Sequence, residues 1–204
     1  FNYWKILNDP AEKYNPEFLS HEDKMRIEGY STDIITDFAI QWLSKANNKK
    51  PFFLFIHYNA TSMPWIPAIR HLNLYDDILL PEPVNLEDQH LSKASPSRYQ
   101  SMDILEDLNI TRDLFFKVVQ KDENKSEEII HSDSLKNLES MTAEQRTAWT
   151  LSWRPKNEAL LRESQNSENT LKLKFQRFVK NYLRCIYSVD ENLERIESAL
   201  KQLH

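Results

Sequence analysis

Four residues around the end of one apolar run carry side chains suited to holding a ligand. They are His57, Asn59, Ser62 and Trp65, in Pro51-Phe-Phe-Leu-Phe-Ile-His57-Tyr-Asn59-Ala-Thr-Ser62-Met-Pro64-Trp65-Ile-Pro67. An asparagine amide donates neutral hydrogen bonds; a serine hydroxyl donates one and has no proton to release near pH 7. Such a pair can orient a polar or anionic group but supplies neither charge nor a general acid. His57 reads first as a histidine hydrogen-bonded beneath the loop and second as a direct ligand. Trp65, set among prolines, reads first as a loop anchor and second as the wall of a sugar pocket. Arg70 and His71 divide evenly between the two kinds of role. The neighbouring acids Asp76 and Asp77 read as a turn signal, because adjacent residues on an extended chain point apart.

The elements that must position these residues are mostly helical. Residues 52–57, apolar as far as His57, suit a strand covered on both faces. In open α/β sheets, ligand sites gather just beyond the carboxyl ends of such strands. Before it, residues 31–46 carry Ile34, Ile35, Phe38, Trp42 and Leu43 at helical spacing, with Ser31, Thr32 and Asp33 offered as N-cap. A helix feeding a buried strand is half of a βαβ unit. Residues 1–30 read as loop and turn. Residues 60–100 are broken by prolines, with a turn of helix near 68–74. Short helices fit 103–120 and 132–139, and the charged run Lys121–Glu128 reads as a solvated face.

Thr142-Ala-Glu-Gln145 has the form of a capping box opening a short helix through Trp149. Pro155 suits the first turn of another helix, about 155–165. From 170 to 203 one stripe holds Leu171, Phe175, Phe178, Val179, Tyr182, Leu183, Ile186, Val189, Leu193, Ile196, Leu200 and Leu203, which predicts a long amphipathic helix. A bend or restart fits Ser188-Val-Asp190. A single strand cannot satisfy its own backbone, so its partners either go unread here or lie outside this sequence.

Composition narrows the function classes. The chain has 204 residues, 40% hydrophobic and 28% charged, which fits one globular domain. A net charge of -5 argues against a nucleic-acid binder. No apolar run approaches the roughly 18 residues that span a bilayer, and these residues hold no signal peptide. Cys185 is the one cysteine, so neither an internal disulfide nor a multi-thiolate metal site is available, and it reads as a buried inert thiol. Gly29 is the one glycine. Phosphate cradles and nucleophile elbows need glycine for close backbone approach, so those classes are close to excluded.

The strand and loop resemble the type I sulfatases, whose strand ends in a His-(His/Tyr)-Lys-Ala-Pro-His-(Arg)-x-Trp-x-Pro run. The resemblance extends over nearly the whole chain, in order. Phe1-Asn-Tyr-Trp4 and Tyr14-Asn-Pro16 are followed by Gly29-Tyr-Ser-Thr-Asp33 with Thr36-Asp37, and by Arg70-His71-Leu-x-Leu-Tyr75-Asp-Asp77 with Pro81-Glu-Pro83. Met141-Thr-x-Glu-Gln145-Arg-x-Ala-Trp149, Pro155-Lys-Asn157-Glu, Lys174-Phe-Gln-Arg177, Tyr182-Leu-Arg184-Cys185 and Ser188-Val-Asp190-Glu-Asn192 continue it.

This resemblance implies a helix-rich, incomplete segment of a sulfatase-like α/β sandwich, residues 1–204 forming a single piece of the catalytic domain. It implies that the parts bearing the nucleophile and the metal ligands lie before Phe1 and after His204. Full-length members use calcium and a formylglycine, and this chain is expected to hold neither. The family positions here are His57, Asn59, Ser62 and Trp65, with Asn59 where the family has a sulfate-binding Lys and Ser62 where it has a sulfate-binding His. Ala94-Ser95-Pro96-Ser97-Arg98 mimics the formylglycine motif, but alanine cannot become an aldehyde.

The expected function is therefore sulfatase-like, directed at sulfate esters of sugars and inactive as this chain. The competing expectation is a non-catalytic helical binding module, with a protein partner or a second copy recruited through the 170–203 helix. The family implies a secreted, periplasmic or lysosomal protein. Asn59-Ala-Thr61, Asn109-Ile-Thr111 and Asn124-Lys-Ser126 match the glycosylation sequon and read as chance.

Overall fold

The structure is a computed structural model and describes residues 2–21, 23–46, 50–88, 94–98, 103–105, 107–108, 113–114, 137–163 and 170–202. It begins with three short strands, Ile6–Leu7 (β1), Glu17–Leu19 (β2) and Lys24–Arg26 (β3), paired antiparallel in that order. Ile6 faces Leu19 across the first pair, and Phe18 faces Met25 across the second. Then come helix Ser31–Lys45 (α1), a 3-10 turn at Ile69–His71, a single helical turn Ser95–Arg98 (α2), and helices Ala143–Glu163 (α3) and Thr170–Lys201 (α4). The class is α/β, as the sequence suggests. No helix among the described residues is long and apolar enough to cross a membrane.

α1 forms where the periodicity places it, and buries Ile34, Ala39 and Leu43. Its Phe38 ring meets Phe18 of β2 edge-on at 5.0 Å, which seats the small sheet on this helix. Its cap differs from expectation. Tyr30 is the N-cap and makes no side-chain cap bond. Ser31 and Asp33 are drawn away, Ser31 Oγ to Asn59 and Asp33 to Arg70.

Several other expectations are corrected. Residues 52–57 form no strand. A strand exists only through a ladder, and among the described residues none pairs with this segment. Phe53 and Phe55 stay 76% and 71% exposed, although Phe52 packs on Trp42 of α1 at 5.3 Å. Residues 1–30 hold strands rather than loop alone; at two or three residues each, they are too short to show a period. The helices expected to part between Trp149 and Pro155 are one, α3, with Pro155 in its interior. The carbonyl it leaves unbonded belongs to Leu151, a residue on the exposed side. The capping box itself is present: Gln145 N–H donates to Thr142 Oγ1 at 3.2 Å and Thr142 N–H to Gln145 Oε1 at 2.9 Å. Most of 103–120 and 132–139, the run 121–128, Asn109, Asn124 and Leu203 lie outside the described residues.

α4 runs unbroken through 188–190 and buries Phe175 and Ile196 of the apolar stripe, but its inward side also carries a row of polar residues. Its buried residues include Lys174, Arg177, Asn181, Arg184, Cys185, Ser188 and Asn192. Leu193, Leu200 and Tyr182 of the apolar stripe stay exposed. The polar face is inward because partners wait for it. Arg184 Nη2 meets Asp76 Oδ1 at 2.7 Å and its Nε meets Leu74 O at 2.8 Å. Arg177 lies 3.8 Å over the Trp153 ring. The apolar core proper gathers Tyr14, Tyr30, Ile66, Ala68, Leu72, Met141, Trp149 and Trp153, between the loop after α1 and α3.

The one glycine stands where the backbone demands it. Gly29 sits at φ +137, which only glycine adopts without strain. Its N–H donates to Asn15 Oδ1 at 2.8 Å, and Asn15 N–H donates to Gly29 O at 2.8 Å. Asn15, at φ 47, is of the type that tolerates the left-handed region. Gly29→Ala is expected to cost about 1–3 kcal/mol in urea unfolding, and Thr142→Ala about 1 kcal/mol through the lost cap.

Candidate functional site

The turn at 59–62 gathers three of the four candidate residues. Asn59 Nδ2 donates to Pro10 O at 2.9 Å and Glu12 O at 3.1 Å, while its Oδ1 accepts from Ser31 Oγ at 2.8 Å. The amide thus staples the turn to the 10–13 segment and to the start of α1. Ser62 Oγ donates to Asn59 O at 2.9 Å, and Ser62 itself is exposed. Trp65 Nε1 donates to Thr61 O at 3.2 Å, and its ring packs on Phe178 of α4 at 4.7 Å. The Met63–Pro64 peptide is cis. His57 does not join them. It is exposed, stands edge-on to Phe55 at 5.9 Å and makes no hydrogen bond among the described residues, so the reading of a buried, hydrogen-bonded histidine is corrected.

The residue that sequence reasoning missed is Lys13. It is fully buried, and its Nζ donates to Asn59 O, to Pro10 O at 3.2 Å and to Ser62 Oγ at 3.4 Å. A lone lysine in a turn-rich stretch gives no periodic signal; only the fold brings it under the turn. Burial pushes its ammonium down to about 8, with Cys185 and Asp9 acting against that shift. Cys185 is buried as expected, and burial pushes its thiol up to about 12.

A second polar cluster ties α1, the 3-10 turn and α4 together. Arg70 holds Asp33 with two bonds, at 2.7 and 2.9 Å, and reaches Glu191 at 2.8 Å. Asn192 Nδ2 adds a bond to Asp33 at 2.7 Å. His71 Nδ1 shares a hydrogen bond with Ser188 Oγ at 2.8 Å, and its Nε2 lies 3.0 Å from Glu191 without the alignment of a hydrogen bond. Burial would raise the carboxyls of Asp33 and Glu191, but the bonds from Arg70 to both, the bond from Asn192 to Asp33 and the nearness of the His71 ring to Glu191 outweigh it and hold both below the usual range. Asp76 marks a turn, as expected, and is also the counter-ion of Arg184 and of Lys156, at 3.0 Å.

The described residues do not fit a metal ion or a modified cysteine. No three His, Cys, Asp or Glu side chains among them converge into a metal-holding group. The acids that do converge, Asp33 and Glu191, are spent on Arg70. Cys185 is sealed inside α4.

A family profile described as Sulfatase matches residues 1–204. The chain belongs to the sulfatase family. An N-acetylglucosamine-6-O-sulfatase of Bacteroides thetaiotaomicron is 29% identical over 210 residues, covering all of this chain and 36% of that protein. The N-acetylglucosamine-6-sulfatase of Homo sapiens is 28% identical over 91 residues, 42% of this chain and 16% of that protein. A solved structure, described as a complex with the substrate D-glucosamine-2-N,6-O-disulfate, superposes with a TM-score of 0.86 at 27% identity. It is covered over 41% of its length by the whole of this chain. The sulfatase segment seen here thus spans well under half of the relatives it matches.

Two measurements probe this geometry. Asn59→Asp places a carboxylate against the carbonyls of Pro10 and Glu12, and is expected to cost about 3 kcal/mol by denaturant unfolding, more than Asn59→Ala. Because Asp33 and Glu191 titrate lower when folded, their stabilisation is present above the ordinary carboxylate range and fades as pH falls through the folded values. Thermal unfolding followed from pH 6 down to pH 2 is expected to show that fall in the native chain and a shallower one in Arg70→Gln.

Proposed function

We propose that this chain is the part of a sulfatase-fold protein that supports the recognition of sugar sulfate esters, and that it does not hydrolyse them by itself. The match of all 204 residues to the sulfatase family carries the first half. Relatives named for N-acetylglucosamine 6-sulfate and a fold neighbour described with a glucosamine disulfate support the sugar ester as substrate class. The second half rests on the 59–62 turn. Hydrolysis needs charge on the ester oxygens and a proton for the leaving group. Asn59 is occupied by backbone carbonyls and Ser62 offers a neutral hydroxyl. On this reading, the nucleophile and the calcium belong to the stretches of the relatives that this chain does not span, and His57, Asn59, Ser62 and Trp65 lie at the edge of the substrate site.

A second reading has its own observation. Leu193, Tyr182, Phe53 and Phe55 leave apolar surface open, as a helical binding module for a protein partner or a second copy would.

The test is to incubate the chain with glucosamine 6-O-sulfate and calcium and to measure free sulfate by ion chromatography. Release no higher than in a boiled control is expected, together with calorimetric binding of the sulfated sugar and not of glucosamine. Sulfate release above the control overturns the inactive assignment. Equal affinity for both sugars overturns the ester assignment.

A further inference from the structure

The turn that lacks a charged side chain sits on top of a buried one. Lys13 is shut off from water yet makes no ion pair among the described residues. Its ammonium is held by two backbone carbonyls and, on its third side, by Ser62 Oγ. A lysine desolvated without a carboxylate is costly, and an anion placed nearby relieves that cost. The Ser62 contact, at 3.4 Å, is the longest of the three and the one that leads outward, because Ser62 is exposed.

We propose that Lys13 supplies the positive charge of an oxyanion site on the 59–62 turn, acting through the Ser62 hydroxyl. The ligand class is a tetrahedral oxyanion carried as an ester, sulfate or phosphate. Lys13 Nζ donates into Ser62 Oγ and polarises it. The Ser62 proton, which points to Asn59 O when the site is empty, rotates onto the incoming anionic oxygen. The relay is a chain of two hydrogen bonds in which each strengthens the next. No covalent step is involved. Lys13 is therefore a positioning residue whose charge reaches the ligand through Ser62. This deepens the sugar-ester reading above and rests on it.

The groups whose fields Lys13 feels are Asp9 and the Cys185 thiol. Burial pushes that thiol up to about 12, far above Lys13. Loss of anion binding as pH rises through about 8 is then the signature of Lys13 itself.

The experiment is calorimetric titration of the full chain with N-acetylglucosamine 6-sulfate, N-acetylglucosamine 6-phosphate and N-acetylglucosamine, whose acetylated nitrogen does not titrate, at pH 6.5 and 9.5. The native chain is expected to bind both esters at pH 6.5 and to weaken about tenfold at pH 9.5. Lys13→Met, checked for folding by circular dichroism, and Ser62→Ala, a surface change, are each expected to lose about tenfold at pH 6.5 and to lose the pH dependence. If Lys13→Met does not fold, Ser62→Ala and the native pH profile decide. Native-like, pH-dependent binding by a folded Lys13→Met, or by Ser62→Ala, overturns the Lys13 relay and leaves the sugar-ester reading standing. Failure of the native chain to bind either ester overturns both. Binding of the sulfate ester alone, with the same dependence on Lys13, keeps the site and narrows it to sulfate.

Discussion

A charge shut away from water must be met by polar partners, and here that requirement helps set the position of the longest helix. Arg184 is 1% exposed. Its guanidinium is satisfied only where Asp76, Leu74 O and Asn181 stand together. Asp76 and Leu74 O belong to the turn after the 3-10 element, where Tyr75 takes φ 66. If the turn opens or α4 rotates, a buried cation is left unpaired, an error that costs several kcal/mol. Hydrophobic burial of the α4 stripe, by contrast, is incomplete in this chain. The helix is held in register by these polar bonds together with the buried Phe175 and Ile196.

The same pattern recurs at each junction. Arg70 joins α1 to α4 through Asp33 and Glu191, and Asn15 joins the first turn to α3 through Gln145. Asn59 joins the loop to both the 10–13 segment and α1. In a sulfatase scaffold, this makes the candidate site part of the framework. Asn59 spends its amide on connecting these segments, and the buried Lys13 lies beneath the turn.

What the sequence revealed follows from locality. The capping box at Thr142 and Gln145 involves residues three apart, so its pattern is visible in the string. Helix α1 and the extent of α4 follow from periodicity over many turns. The polar part of the inward face of α4 is not legible, because Arg177 and Arg184 find partners as far as 63 and 110 residues away. A rule that assigns burial by polarity finds Phe175 and Ile196 but misses the buried Arg177 and Arg184. The apolar run at 52–57 signalled a strand, but strand formation depends on a neighbour that composition cannot report. Lys13 was hidden for a related reason: nothing near it in sequence announces that Asn59 and Ser62 will fold onto it. The family, by contrast, was readable because many weak matches fall in one order along the chain.

Asn59 also begins an Asn-x-Thr sequon, and its geometry carries a consequence for biosynthesis. A glycan attaches to the same Nδ2 that donates to Pro10 O and Glu12 O. Attachment would remove one of those two hydrogens and thrust a sugar into the space the 10–13 segment occupies. Where such sequons are glycosylated, folding and glycosylation would compete for one nitrogen. In a secretory compartment the outcome would be set by timing: a chain whose turn closes before the transferase arrives keeps its staple, and a chain modified first cannot close it.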